Sequence, residues 1–469
     1  MRRSRRLTLA LGLGSAVALL AVTTVAAATP PPTAGIVNGF EFGELQSDTV
    51  GSGGCGTNAA GEPAIHVSRA DLVALSSERG LGGGTDTWRG PAAAPACDLE
   101  YRGEANAIVS GVALAGGDTD LAIASERNGA GTYTIYVASL NLASVAVAHS
   151  TDDGSTWSNV PLVFGLPLDD REWIAAYGAN TSLLTYHDVG TGNINVLRSD
   201  DGGASYFQIS RAIPATDYKA FLNQHGNIAI DRRNTAGAAA GQFWAYQSFV
   251  APSAKPSLLA FLPVVGTPTF NEAFVAVSSD GGHTWTDRPI PCSVSTESLA
   301  HQFPNVSVAP DGAVWSSWSD GHDVFTAVSR DHGASWSCSP PVSTTTAQAI
   351  FPWMVATSAG VDLVYYGTTT PESSTDTATW SVSLVQNLTS TAAGWGTPTR
   401  LMPVHEGTVC DEGVECISGR QLLDDFGVDT DQEGFAHIAY SHDAPNLGGA
   451  GTFTGYARQV GGQPVGYPN

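Results

Sequence analysis

The sequence predicts an all-β fold of repeated antiparallel sheets, and three observations carry that expectation. An eight-residue pattern, Ser-x-Asp-x-Gly-x-Thr/Ser-Trp/Tyr, returns four times, at residues 150–157, 199–206, 278–285 and 329–336. Each copy follows a short β-rich run, such as Val145-Ala146-Val147-Ala148 or Phe274-Val275-Ala276-Val277. Glycine is abundant at 53 residues, charged residues are sparse at 14%, and no long amphipathic helical stretch interrupts the short strands. In each copy the carboxylate bonds nearby backbone N–H groups and the glycine is free to take positive φ, which closes a tight hairpin. Four copies at intervals of about 50 to 80 residues mean a repeat architecture of stacked sheets.

The pattern resembles the Asp-box, or BNR, repeat of sialidase-like β-propellers, which also occurs in sortilin-type receptors and other secreted propellers. Three copies end in Trp and the second in Tyr206. The resemblance implies a β-propeller of four-stranded antiparallel blades over nearly all of the mature chain. It implies little about chemistry, because the boxes of that family are structural and lie away from the active site.

Degenerate repeats become visible through a second-strand pattern at residues 72–78, 121–126, 183–188, 243–247, 314–320, 363–366 and 436–443. Candidate innermost strands precede these units, for example Asn305-Val306-Ser307-Val308-Ala309 and Phe426-Gly427-Val428-Asp429. Seven blades are therefore favoured over six. Sialidases have six, and the first unit here carries only Thr85-Asp86-Thr87-Trp88 where a box would stand. Radial closure leaves few free sheet edges and suits a monomer.

The domain plan is an export signal at 1–28, a Pro/Gly-rich linker at 29–50 and a single propeller at 51–469. Arg2, Arg3, Arg5 and Arg6 precede an apolar stretch that ends at a small-residue site, Ala26-Ala27-Ala28. The run from Ser4 to Leu9 has a twin-arginine character, so the expected destination is outside the cell. The alternative, a single membrane anchor, is disfavoured by Pro30-Pro31-Pro32 directly after the apolar stretch. No later segment is long and apolar enough to span a bilayer. With 21 Lys+Arg against 44 Asp+Glu, the net charge of −23 makes nucleic acid and anionic membranes poor partners. Six cysteines suit an oxidising compartment and allow fifteen pairings. Position favours three of them. Cys410 and Cys416 bracket an acidic loop, Cys55 and Cys97 flank the first repeat, and Cys292 and Cys338 each follow a box in consecutive repeats.

In a four-stranded blade, the start of strand one and the end of strand two share a face, opposite the box hairpins. Strand-one openings on that face include Glu62-Pro63, the run Asp169-Asp170-Arg171-Glu172-Trp173, and His225 with its neighbours. They continue with His301, Trp353 and Asp424-Asp425-Phe426. Strand-two closings supply Glu78-Arg79, Glu126-Arg127, His187-Asp188, Gln247 and His442-Asp443. Aromatic platforms with short polar side chains are what a sugar site needs. Candidate ligand-binding residues are Arg79, Arg127, Trp173, His225, His301, Trp353 and Asp425, with a glycan or glycoconjugate as partner. For any one of them a purely structural role is the commoner outcome, since carboxylates often pair with a neighbouring arginine.

Sialidases use a tyrosine nucleophile activated by a glutamate, an acidic acid/base residue and three arginines that clamp the substrate carboxylate. What the resemblance implies here is a set of catalytic candidates: Arg171, Asp170, Glu172, Tyr440 and Glu126. The family's N-terminal Phe/Tyr-Arg-Ile-Pro signature is absent, and Tyr101-Arg102-Gly103-Glu104 keeps only an aromatic and an arginine. Three readings remain open at this point: a carbohydrate-active propeller, a non-catalytic glycan- or protein-binding module, and a structural propeller. No cofactor is expected beyond calcium, for which Asp169, Asp170, Asp424 and Asp425 would supply hard oxygen ligands.

Overall fold

The structure, a computed structural model, describes residues 35–466 apart from 81, 110–111, 114–115, 141–143, 163–168, 189, 234, 257–268, 373–376, 412–415, 417 and 444–450. The export signal therefore lies outside the described residues. Seven sheets of antiparallel strands form a seven-bladed β-propeller. The innermost strands, in blade order, are Gly61–Val67, Thr119–Arg127, Asp169–Tyr177, Gln224–Ile230, Asn305–Val308, Gln348–Ala356 and Gly427–Thr430.

Blades 1 to 6 each use four strands consecutive in sequence. Blade 7 does not. Its inner three strands, ending in Phe453–Gln459, are completed by Phe40–Glu44 from the other end of the chain, in the register Phe40↔Gln459 to Glu44↔Gly455. The stretch 29–50, read from sequence as a linker, thus contains the strand that closes the ring. A ring closed this way pairs the edge of the last blade instead of leaving it open.

One repeat unit was misplaced by its sequence pattern. Residues 121–126 belong to Thr119–Arg127, which is the inner strand of blade 2 and pairs only with Tyr133–Leu140. The other six second-strand segments fall where the pattern puts them, on or overlapping second strands. The slip matters below, because it reverses the face on which Glu126 and Arg127 sit.

The four repeated turns join strands three and four of blades 2 to 5 and share one hydrogen-bond plan. In the third, Ser278 Oγ donates to Asp280 Oδ1 (2.8 Å), which also accepts from the Thr284 N–H (2.8 Å), while Thr284 Oγ1 donates to Asp280 Oδ2 (2.6 Å). Ser278 Oγ accepts in turn from the Gly282 N–H (2.9 Å), and Gly282 holds φ +94°, which an L side chain rarely adopts. Asp152, Asp201 and Asp331 make the corresponding bonds. Burial alone would raise the Asp280 carboxyl, but these bonds outweigh it and hold the group below the ordinary aspartate range.

Inner strands present a row of backbone N–H groups to the neighbouring blade, and short acceptors satisfy several of them. Asp120 of blade 2 accepts from the Ile174 N–H of blade 3 (2.8 Å), and Asn227 of blade 4 from Val306 of blade 5 (2.7 Å). Asn305 of blade 5 accepts from Met354 of blade 6 (3.2 Å), and Asp429 of blade 7 from Val67 of blade 1 (2.9 Å). This belt fixes the height of each blade against the next without a continuous ladder. The three cysteine pairs favoured by position, Cys55–Cys97, Cys292–Cys338 and Cys410–Cys416, are the three disulfides. Among the described residues no helix is long and apolar enough to cross a membrane.

Replacing a turn carboxylate tests how much the repeated hairpin contributes. Asp280→Ala removes one acceptor of three bonds and is expected to cost about 1–3 kcal/mol, read as a lower melting temperature by circular dichroism. Asp200→Ala, one residue before the turn carboxylate of blade 3, is the comparison and should cost less.

Candidate functional site

The inner strands begin on the face opposite the repeated turns, and at that end several of them bulge. The pairing register shifts between Gly61 and Ala64 in blade 1, Asp170 and Glu172 in blade 3, His225 and Ile228 in blade 4, and Ile350 and Trp353 in blade 6. Three of these bulges hold a non-glycine residue at positive φ: Glu62 (+49°), Arg171 (+43°) and Phe351 (+55°). A bulge re-aims a side chain that regular alternation would send into the sheet. In blade 4 the bulge carries Gly226, where a Cβ would stand 1.6 Å from the Pro304 carbonyl oxygen, so only glycine lets blades 4 and 5 approach there.

Arg171 is the centre of this end of the axis and only 2% exposed. Its Nη1 lies 3.3 Å from Glu62 Oε2 of blade 1 and 4.0 Å from Asp118 Oδ2, just before the inner strand of blade 2. Its Nη2 pairs with Asp425 Oδ2, just before the inner strand of blade 7. The guanidinium lies over the rings of Trp173 (4.1 Å) and Phe303 (5.0 Å). Its backbone carbonyl accepts from His225 Nε2 of blade 4 (3.0 Å). Burial pushes the His225 imidazole well below its ordinary range and His187, stacked on it at 5.5 Å, pushes the same way, so the ring is neutral and Nε2 carries the proton. Beneath the arginine, Trp173 packs against Trp353 of blade 6 (5.3 Å) and Phe303 (5.5 Å), an aromatic plug in the axis.

A second cation, Arg420, reaches the same mouth from the loop before blade 7. It pairs with Asp424 (2.5 Å) and stands 3.9 Å from Glu62. Against two arginines stand Glu62, Glu78, Asp118, Asp170, Glu172, Asp424 and Asp425. Removal from water raises most of these carboxyls, and their mutual repulsion adds to it: Glu78 is pushed up to about 8, Asp425 to about 7 and Asp424 to about 6. Glu62 and Glu172 are raised well above the usual range, first by burial and then by Asp118. Glu172 is fully buried, and neither of its oxygens has a hydrogen-bond partner among the described residues. Glu78, Asp118 and Asp170 are half-buried.

The candidates named from sequence are distributed unevenly around this mouth. Arg171, Asp170, Glu172, Trp173, His225, Trp353 and Asp425 converge on it. His301 lies on the same face, bonded to Asp411 (2.5 Å) beside the Cys410–Cys416 loop. Arg79 also lies on this face, but Glu104 (2.7 Å) and Asp86 (3.8 Å) hold it. Glu126 and Arg127 are on the opposite face: they end an inner strand rather than a second strand. The Glu126 N–H bonds the Gly178 carbonyl (3.1 Å), and Arg127 lies over Tyr133 (4.7 Å) beside the turn of blade 2. Tyr440 is buried in the wall of blade 7 with its ring edge on Phe42 (6.3 Å). Its hydroxyl has no hydrogen-bond partner among the described residues, and Glu126 cannot activate it from the far face. A three-arginine clamp of Arg79, Arg127 and Arg171 therefore does not form.

Two members of the mouth escaped the sequence reading. Asp118 was hidden because residues 121–126 were taken as a second strand; with that segment as strand one, Asp118 and Asp120 open it. Arg420 left no signal beyond its four-residue spacing from Asp424. Among the described residues no three His, Cys, Asp or Glu side chains are grouped to hold a metal ion, and the Asp169 side chain lies outside the described residues.

By sequence, no family profile and no curated protein matches the chain. Solved structures similar in fold include the GH74 enzyme of Niastella koreensis, at 15% identity and a TM-score of 0.50 over 88% of this chain and 53% of that one. The GH93 α-L-arabinofuranosidase of Fusarium graminearum aligns at 11% identity and 0.47 over 88% and 97%. The NanB sialidase of Streptococcus pneumoniae aligns at 10% identity and 0.43 over 90% and 71%. At these identities the likeness is one of fold.

The raised carboxyls fix the sign of a pH effect on stability. A carboxyl with a higher pKa folded than unfolded binds more protons in the native state, so stability falls as pH rises from the unfolded value to the folded one. With Asp424, Asp425 and Glu78 at about 6, 7 and 8, the melting temperature is expected to be higher at pH 5 than at pH 8. The lowered turn carboxylates act in the opposite sense: their contribution is lost as pH falls below the ordinary aspartate value. Calorimetric scans at pH 3, 5 and 8 should give a maximum at the middle value. Arg171→Met should cost about 3–5 kcal/mol, because it leaves Asp425 buried without its guanidinium and Glu62 with Arg420 alone, measurable by chemical denaturation at pH 8.

Proposed function

We propose that this protein is a secreted, carbohydrate-directed propeller that hydrolyses glycosidic bonds of uncharged sugars at the axial mouth, using paired carboxyl groups rather than a tyrosine. The observation that carries the reading is the gathering of half-buried Glu78, Asp118 and Asp170 at one end of the axis, where burial holds the Glu78 proton. Glu78, raised to about 8, keeps its proton at neutral pH, and Asp118 beside it is among the charges that raise it. Two carboxyls kept in different protonation states are what acid-assisted glycoside cleavage requires, one protonating the leaving oxygen and the other acting as base or nucleophile. In this reading Glu78 is the acid, Asp118 and Asp170 are the candidates for its partner, and Arg420 stands at the edge.

The same charges argue against sialic acid as substrate. Arg171 already faces Glu62, Asp118 and Asp425, and Arg420 faces Asp424 and Glu62. Neither fork is free for an incoming carboxylate, and the surplus of acid repels one. The names of the similar structures include an arabinofuranosidase and a sialidase, but at their similarity they do not select between neutral and anionic sugars. Export is supported by the three disulfides and by the arginine-led apolar start of the chain. A second reading, a non-catalytic glycan-binding module, is favoured by the plug of Trp173, Phe303 and Trp353, which limits how deep a sugar can enter.

A panel of neutral aryl glycosides and a fluorogenic sialoside, offered to the purified protein and to Glu78→Gln, separates these readings. Expected are turnover of a neutral substrate, none of the sialoside, and a loss of about 10²–10⁴-fold in kcat in the variant, with kcat/KM of the wild type falling above about pH 8 as Glu78 loses its proton. Turnover of the sialoside would overturn the charge reasoning. A folded protein inactive on every glycoside would leave the binding module.

A further inference from the structure

The strand that closes the ring is held by more than its neighbour in blade 7. Phe40–Glu44 is only five residues long; Glu41 pairs with Arg458 (2.6 Å) and Glu44 with His442 (2.8 Å). The chain then folds over blade 1. Leu45 pairs with Cys55, the Gly56 N–H bonds the Glu44 carbonyl (3.1 Å), and Trp88 Nε1 donates to the Gln46 carbonyl (2.7 Å). A disulfide joins Cys55 to Cys97, in the single turn Ala96–Asp98 between the third and fourth strands of blade 1. That turn lies directly on the closing strand. A Cβ at Gly43 would stand 2.6 Å from the Ala96 carbonyl carbon, and one at Gly53 would stand 2.8 Å from the Asp98 carbonyl oxygen. Cys97 is buried but Cys55 is exposed, so a thiol can reach the bond from the Cys55 side.

The same segment runs on into the axial mouth. Asn58 Nδ2 donates to the carbonyls of Leu45 and of Thr454 in the last strand (2.9 Å each), and the Thr454 N–H donates back to Asn58 Oδ1 (2.9 Å). Thr454 Oγ1 donates to the Ala60 carbonyl (3.0 Å). Two residues later Glu62, at positive φ, gives its N–H to Ser441 Oγ (3.0 Å) and faces Arg171 Nη1 at 3.3 Å. Gly61 is wedged against the loop that carries Asp424 and against the start of the last strand. A Cβ there would meet Leu423 Cδ1 at 2.4 Å and Thr452 Cγ2 at 2.6 Å. The sulfur bridge at Cys55 and the carboxylate of Glu62 thus sit on one short stretch of chain, and Asn58 and Ala60 between them are tied to blade 7.

We propose that the Cys55–Cys97 disulfide is a redox latch that couples closure of the ring to the order of the axial mouth. A thiolate of a dithiol reductant attacks the exposed sulfur of Cys55, the S–S bond breaks, and Cys97 leaves as a thiolate that takes up a proton. The second thiol of the reductant resolves the mixed disulfide, so one dithiol is oxidised to its disulfide and two cysteine thiols form. With the latch closed, the two cysteines, 42 residues apart, cannot separate, and a closing strand that opens stays beside its partner. With the latch reduced, Phe40–Glu44 depends on its five register pairs and on Arg458 and His442 alone. Its fraying then passes through Asn58 to Glu62, and Arg171 loses a fixed partner in blade 1. The latch does not depend on hydrolysis at the mouth. The export reading decides only where it closes, in an oxidising compartment.

Hydrogen–deuterium exchange read by mass spectrometry gives the test, on the full chain with and without dithiothreitol, with thiol alkylation reporting which cysteines are reduced. Reduction of Cys55 and Cys97 in the folded protein should speed amide exchange in Phe40–Glu44 and Phe453–Gln459 about 10²-fold. Exchange in the stretch from Asn58 to Glu62 should rise by a smaller factor, and the second strand of blade 3, Thr181–Asp188, should be unchanged. Cys55→Ser combined with Cys97→Ser should show the faster exchange without reductant and no further change there when it is added. Cys292→Ser combined with Cys338→Ser, which removes the disulfide between blades 4 and 5, should keep the full response of the closing strand, and serves as the test where the first pair does not fold. The proposal is overturned if Cys55 and Cys97 stay oxidised until the protein unfolds, or if they are reduced with no change in the closing strand. It is also overturned if the stretch to Glu62 does not follow that strand, or if exchange rises equally in every blade.

Discussion

One buried guanidinium holds the axial end of this propeller together. Arg171 meets carboxylates from blades 1, 2 and 7, gives its carbonyl to His225 of blade 4, and lies on Phe303 of blade 5. Through Trp173 it reaches Trp353 of blade 6. Placing a guanidinium where water cannot follow costs several kcal/mol unless counter-charges and hydrogen bonds surround it. The carboxylates are therefore a condition of the arginine's burial. They are also more numerous than one arginine needs, and burial, together with their mutual repulsion, raises most of them.

Two sets of constraints thus act at opposite ends of each blade. On the far face the repeated turns are self-contained: serine, aspartate and threonine satisfy one another within eight residues, and their carboxylates are lowered. At the axial mouth satisfaction is collective, spread over groups from different blades, and the carboxyls are raised. Local closure makes the first set rigid and legible. Collective closure makes the second responsive to protons and to whatever enters the mouth. The belt of Asp120, Asn227, Asn305 and Asp429 links the two ends by fixing how each blade stands against the next.

That division explains what could be read from the chain. The four turns are local in sequence, so spacing recovers them, and six of the seven second-strand segments fall on second strands. The bulges at Glu62, Arg171 and Phe351 are not legible in this way. A bulge moves a side chain from one face of a strand to the other by one extra residue, and no period-two pattern registers it. The strand 119–127 was misread because its apolar alternation matches a second strand as well as a first. That slip moved Glu126 and Arg127 to the wrong face and concealed Asp118. Phe40–Glu44 was read as linker because nothing in five residues shows that their hydrogen-bonding partner lies more than 400 residues away.

The repeats also show how one fold meets the same constraint in different ways. Every junction next to a repeated turn must do something with the groups that face it, and the internal answers differ. Ser210 provides a hydroxyl to Trp285, Arg89 and Arg102 provide donors to the turn carbonyls of Asp153 and Ser155, and Arg288 holds in blade 4 the register position that Ser210 holds in blade 3. The first gives its indole an acceptor within the protein. The second and third leave the indole N–H of Trp157 and of Trp336 without a partner among the described residues. A repeat protein therefore carries its own controls: sibling copies show what a change at one register position does to the groups that face it.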